Sequence, residues 1–431
     1  MIWSTTLLFY SKINYVYMRP CILYPLFPLA FVVLLFSCSG DKSATAEEKE
    51  TLNIPELLPR PEALQNTAEW EQTQSGYSQM AGKLRLEDPN DIDARITIAK
   101  IFVNEARVTG EHGHYYPAAL SVLEDAIELN HRGPKDPNLE FEALATMAGV
   151  QLSQHDFPEA LATAKEAVSI NPYNAQVYGA IVDANVELGN YDEAVKAADK
   201  MNEIRPDLRS YSRVSYLREI HGDVDGAIDA MKRAVTAGAP GYESTAWARL
   251  TLGEMYQRYG QPEQAAAQYA AILRERPNYP FAIAAQADLA MEREDYDEAE
   301  RLLNEAKDII PEVGYYVQLA ELYKLQGRTD EEKAIEDEIM TMLQEDVDSG
   351  HNMDMEYAHL YADQFEDYDK ALEYLMSEYE TRPENIDVNR LLASLYVKRG
   401  ELDKARTHLD KAQATESKHP ELAEIQLALA K

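Results

Sequence analysis

From about residue 90 to the C-terminus, apolar residues recur at the three- and four-residue spacing of helices with one buried face, and the helical stretches come in pairs. The pattern is sharpest where Leu252-Gly253-x-x-Tyr256 is followed by Gly260, Ala265, Tyr269 and Pro277. Small residues at Gly253 and Ala265 belong where two helices cross, and Tyr256 and Tyr269 fill the space beside them. Pro277 closes the second helix, because it lacks an amide donor and clashes with the preceding turn. The pattern repeats: Pro172 to Pro206, Ala160 to Ala194, Ala265 to Ala299 and Pro277 to Pro311 are each 34 residues apart. An all-α chain of serial helix pairs is predicted, with no strand.

The second helix of each pair carries Ala, a large residue four on, and usually a small residue three further. Examples are Ala119/Leu123/Ala126, Ala227/Met231/Ala234 and Ala405/Leu409/Ala412. Acids open these helices, as in Tyr191-Asp-Glu-Ala194 and Tyr296-Asp-Glu-Ala299, which suits the positive end of the helix dipole. Two units depart from the pattern and are expected to be distorted. The unit near 92–130 has a long connection from Thr109 to Pro117, and the unit near 314–343 lacks its Ala and ends in acids. The expected organisation is an N-terminal helix at 62–91, about nine pairs over 92–417, and a capping helix at 418–431.

These residue types at these offsets resemble the tetratricopeptide repeat, whose units stack into a right-handed superhelical solenoid. The resemblance implies that first helices line a concave face. Projected onto this chain, that face holds Glu142, Asp183, Glu187, Trp247, Glu254, Arg258, Phe281, Asp288, Glu292 and Arg390, an acidic and aromatic trough suited to a basic or amphipathic peptide. Some members clamp a carboxylate with Lys and Asn at set positions. Here those positions hold Ala145, Gly179, Leu250, Ala284, Gly149, Asp183, Glu254 and Asp288, so that clamp is not expected.

Residues 20–36 form an uncharged apolar stretch behind Met18-Arg19, with three prolines and a polar, acidic sequence beyond it. That reads as the core of a signal peptide occupying 1–37, with Met18 as an alternative start. Leu35-Phe36-Ser37-Cys38 resembles the bacterial lipobox, in which the cysteine is acylated and becomes the first residue. Ser39 then implies an outer membrane, with the chain facing the periplasm or the outside. Residues 38–61 are acidic and proline-bearing and are expected to be a flexible tether. Only Cys21 and Cys38 occur, so the processed chain would hold no disulfide.

Charge narrows the partners. With 41 Lys and Arg against 75 Asp and Glu, the net charge is −34, and removing residues 1–37 takes away Lys12 and Arg19 and no acid, giving −36. Nucleic acid and anionic head groups are disfavoured as direct partners, leaving protein or peptide, with the membrane engaged only through lipid. No phosphate loop, His-Glu-x-x-His or Gly-x-Ser-x-Gly is present, and no cofactor is expected. Glu111-His112-Gly113-His114 supplies the start of a metal set but too few ligands to close one, so an exposed ordering loop is the favoured reading. Glu345–Gly350 is an acidic loop in which Gly350 replaces a calcium ligand. The expected function is a non-enzymatic envelope scaffold or assembly factor. The alternatives are an accessory of outer-membrane biogenesis or of secretion and pilus machinery, and, in another class, a metal-dependent enzyme built on His112 and His114.

Overall fold

A computed structural model describes residues 54–65 and 68–430; the signal segment, Cys38 and most of the expected tether lie outside the described residues. After α1 (Glu62–Gln65) and α2 (Ala68–Leu86), nine helix pairs follow among the described residues. They are α3 and α4 (Ile92–Thr109, His112–Arg132), α5 and α6 (Pro137–Ser153, Phe157–Ile170), and α7 and α8 (Ala175–Glu187, Tyr191–Ile204). Next come α9 and α10 (Leu208–Ile220, Val224–Ala237), α11 and α12 (Glu243–Arg258, Pro262–Glu275), and α13 and α14 (Pro280–Glu292, Tyr296–Ile309). The series closes with α15 and α16 (Val313–Gln326, Thr329–Asp348), α17 and α18 (Asp354–His359, Tyr368–Thr381), and α19 and α20 (Ile386–Lys398, Leu402–Ala412), before α21 (Pro420–Leu429). The architecture is an all-α superhelical repeat.

Local chemistry sets the helix starts. Asp91, Asp156, Asp223 and Asp367 precede their helices, and each side chain accepts from the amide three residues on. Caps of this kind contribute about 1 kcal/mol each. Inside the sharpest unit, Gly253 lies directly under the Tyr269 ring, where a Cβ would come within 2.3 Å of Cε1. Tyr269 and Ala265 are fully buried there. The absence of a side chain is what lets α11 and α12 close on each other. One hydrophobic cluster then runs without a break from Leu208 on α9 to Tyr323 on α15, so each pair buries its outer apolar face on the next.

The coil is wound tightly enough for one superhelical turn to rest on the previous one. Arg382, ahead of α19, pairs with Glu187 at the end of α7 at 2.5 Å, and Asn385 Nδ2 donates to the Glu187 carbonyl at 2.9 Å. The Ile386 amide donates to the Tyr191 hydroxyl at 2.8 Å, and the Asn352 amide donates to the Gln154 carbonyl at 3.3 Å. Gly189 makes one of these contacts possible: its φ is 77° and a Cβ would sit 2.6 Å from the Glu384 carbonyl carbon. At the other end, Arg276 reaches back to Glu69 on α2 at 2.6 Å, and Asn278 Nδ2 donates to the Ala63 carbonyl at 2.9 Å.

Three sequence expectations change. Residues 54–61, assigned to the tether, form a strap along α3 and α4. Ile54 is buried, the Leu58 amide donates to the Tyr115 hydroxyl at 3.0 Å, and Arg60 makes a two-pronged buried pair with Glu105. Composition arguments miss this because the strap carries its own apolar residues, Ile54, Leu57 and Leu58, to a waiting surface. The long connection after Thr109 is only a left-handed Gly110 turn. The α4 helix starts at His112 and holds Pro117 in its second turn. The acids from Glu345 belong to α16, which continues to Asp348 and buries Asp346 rather than exposing a loop. The following unit absorbs that extra length: α17 is six residues and passes into a π-helical segment, Leu360–Gln364, where the Phe365 amide reaches back to the Leu360 carbonyl at 3.1 Å.

Candidate functional site

First helices face the interior of the coil, and the acids projected onto them meet different fates there. Asp183, 2% exposed, is gripped by Arg213 from α9, with Nε donating to Oδ1 at 2.8 Å and Nη2 to Oδ2 at 2.5 Å. Burial alone would push this carboxyl up, but Arg213 leads the charges that hold it below its usual value. Glu187 is taken by Arg382 across the turns, and Arg390 by Asp387 and Glu421. Glu142 pairs with Lys100 at a half-exposed position. Trp247 is 8% exposed and belongs to the core between pairs. These five are positioned by partners within the chain and do not form one trough.

The other five converge. Glu254 and Arg258 on α11 and Phe281, Asp288 and Glu292 on α13 line a cavity of about 290 Å³, which Tyr315 and Gln318 on α15 close. Glu254 and Asp288 occupy equivalent positions 34 residues apart, so the repeat itself stacks one carboxylate above the other. Both keep some exposed surface although protein surrounds them, so they line a recess open to solvent on one side. Burial pushes Glu254 up to about 7, opposed by Arg258 and reinforced by Glu219. Asp288 also rises to about 7, from burial first and then from Glu321, Glu292 and Glu254.

Hydrogen bonding in the cavity is one-sided. Gln318 Nε2 donates to Asp288 Oδ1 at 2.9 Å, Gln257 Nε2 donates to Glu292 at 2.6 Å, and the Tyr269 hydroxyl donates to Gln257 at 3.1 Å. Arg258 is drawn towards Glu219 on α9 at 2.5 Å. The buried Gln318 Oε1 and the Tyr315 hydroxyl find no partner. Sequence reasoning misses Tyr315 and Gln318 because their unit lacks the second-helix Ala and so departs from the pattern. Counting 34 on from Phe281 reaches Tyr315.

The histidine motif is split between two surroundings. His112 points inward and stacks on Tyr116 at 5.0 Å and His351 at 5.9 Å between ring centroids, whereas His114 turns to the Glu56 carbonyl of the strap at 2.8 Å. Among the described residues no group of three or more His, Cys, Asp or Glu is placed to hold a metal. Among them, too, no helix is long and apolar enough to cross a membrane.

A family model described as tetratricopeptide repeat matches residues 151–218 and 364–429, the two stretches that carry the clasp between successive turns. This chain carries tetratricopeptide repeats. One curated relative of these tetratricopeptide repeats is the cellulose synthase operon protein C of Pseudomonas fluorescens (strain SBW25), 25% identical over 170 residues. The match covers 37% of this chain and 13% of that protein, so the chain spans about an eighth of the relative's length. Among solved structures, a thermophilic tetratricopeptide protein of Thermus thermophilus is 22% identical with a TM-score of 0.39, over 46% of this chain and 99% of that one. The Cut9-Hcn1 hetero-tetramer of the APC/C is 13% identical with a TM-score of 0.44, over 85% of this chain and 60% of that one.

Proposed function

We propose that this tetratricopeptide repeat protein is a non-enzymatic scaffold or assembly factor of the bacterial cell envelope. Cys38 carries the lipid that holds it at an outer membrane, and the inner face of its coil receives a basic or amphipathic segment of a partner protein. The observation that carries this reading is the wall made by Glu254, Asp288, Glu292 and Phe281. Its acids are stacked by the repeat and have one cation among them, Arg258, which is drawn to Glu219, whereas Asp183 and Glu187 are each gripped by an arginine. A surface of this kind is complementary in charge and shape to a cationic stem with an apolar neighbour.

Cross-linking in intact cells followed by affinity capture tests the scaffold. Glu254→Lys, Asp288→Lys and Glu292→Lys together should sharply weaken recovery of the partner, while Glu142→Lys should not. Equal recovery from both variants would reject the inner wall as the binding surface. Labelling with a palmitate analogue tests the anchor: incorporation should vanish in Cys38→Ser, and retention of label there would reject lipidation at that residue.

A further inference from the structure

We propose that the cavity between α11, α13 and α15 is a receptor for a single alkyl cation, the ammonium or guanidinium end of one lysine or arginine side chain. The proposal rests on the reading of the inner face as the binding surface and names what that surface selects. At about 290 Å³ the space falls just below the ~300 Å³ at which pockets for drug-sized ligands begin, which suits one long side chain rather than a folded element.

Chemistry decides the sign of the guest. Ionised carboxylates only accept hydrogen bonds, and a side-chain amide oxygen only accepts. Glu254 has only the charge of Arg258 beside it, and Arg258 is drawn to Glu219; Asp288 receives one bond, from Gln318, and Gln318 Oε1 is buried with none. The cavity thus holds an excess of acceptors. Tyr315, 2% exposed, contributes its ring to the wall, while the groups that act on its hydroxyl are the buried Glu312 and Tyr279 rather than the cavity carboxylates. A buried polar group without a partner is unfavourable, so a guest that supplies donors is favoured over an empty site. An anion would face the carboxylates, and a hydrocarbon would leave every acceptor unmet. An ammonium supplies three donors, and its stem would lie against Leu250 and Ala284 beside the Phe281 ring.

The groups facing the two carboxyls set the pH response. Glu219 and Arg258 act on Glu254, while Glu292 on its own helix and Glu321 on α15 act on Asp288. Both carboxyls titrate near 7, so at pH 8 they are mostly ionised and at pH 6 mostly protonated. The guest's ammonium, with an ordinary pKa of about 10.4, stays charged throughout. Affinity should therefore fall by about tenfold or more from pH 8 to pH 6.

Titration calorimetry on the full chain with Nα-acetyl-lysine methylamide, and with its norleucine counterpart as the neutral control, tests this. Saturation by the lysine derivative at pH 8, at least tenfold weaker binding of the norleucine derivative, and a matching loss at pH 6 support the proposal. Asp288→Asn and Glu254→Gln should each weaken the lysine derivative by tenfold or more while retaining a cooperative circular dichroism melt. The two variants guard against one failing to fold. Equal binding of both derivatives, no saturation by either in the millimolar range, or unchanged affinity in a folded variant overturns it. If a protein partner is still captured when the lysine derivative fails, this proposal falls and the scaffold stands. Specific lysine binding with no partner captured supports this proposal and removes the scaffold instead.

Discussion

Asp183 and Asp288 hold the same place in their units, yet one is sealed and the other is open. Arg213, from the next first helix, lays two hydrogen bonds on Asp183 and brings its carboxyl below the ordinary range. Asp288 receives only an amide from Gln318, and its neighbours on both sides are acids, so its carboxyl rises. Identical repeat geometry therefore yields a structural ion pair or an unmatched carboxylate according to what the adjacent unit presents. In this chain, position assigns the face, and the neighbour assigns the environment.

The sharpest way to break the comparison is to unseal Asp183. Arg213→Met should cost about 3–5 kcal/mol in urea unfolding, because it leaves a buried charge uncompensated. A loss below about 1 kcal/mol would mean that Asp183 is as open as Asp288. Arg382→Met attacks the other sealed acid, Glu187, and loosens the hold between turns. We expect a loss of about 2–4 kcal/mol together with faster hydrogen exchange at the Ile386 amide, which donates across that seam. Unchanged exchange there would show that the turns rest on other contacts.

Asp288→Asn sharpens the comparison through pH. A carboxyl raised to about 7 in the folded chain, from about 4 unfolded, contributes stability below pH 4 and loses it as pH rises to 7. Removing it should flatten that fall by an amount on the order of 1–2 kcal/mol, allowing for the water that reaches the side chain. For Asp183, held low in the folded chain, the sign is opposite: its contribution is present above its unfolded pKa and lost on acidification. Parallel pH profiles for Asp183→Asn and Asp288→Asn would refute the distinction. The smallest effect belongs to Glu142→Gln. Its Lys100 pair is half-exposed, so stability should change by less than about 1 kcal/mol.

Gly253, Ala265, Tyr269 and Pro277 make the fold legible, because small residues at helix crossings and proline at helix ends are requirements of local packing that recur with every unit. The same beat places Glu254 and Asp288 one above the other. What it does not encode is the pitch of the coil. Small rotations add up over several units before Arg382 meets Glu187, 195 residues away, and no single residue type announces that meeting. For that reason Glu187 and Arg390 read as groove residues although the chain itself engages them. The strap is hidden for a different reason: Arg60 and Leu58 follow prolines and acids, and their partners Glu105 and Tyr115 lie on helices whose join reads as a loop.

The hold between successive turns has a mechanical consequence. An open solenoid behaves as a soft spring, lengthening through many small bends that each cost little. Here extension must first pull Arg382 from Glu187, Asn352 from Gln154 and Arg276 from Glu69, contacts that resist together rather than in sequence. The coil is therefore stiff at low load and yields abruptly, transmitting a tug on its amino end to its far end instead of absorbing it.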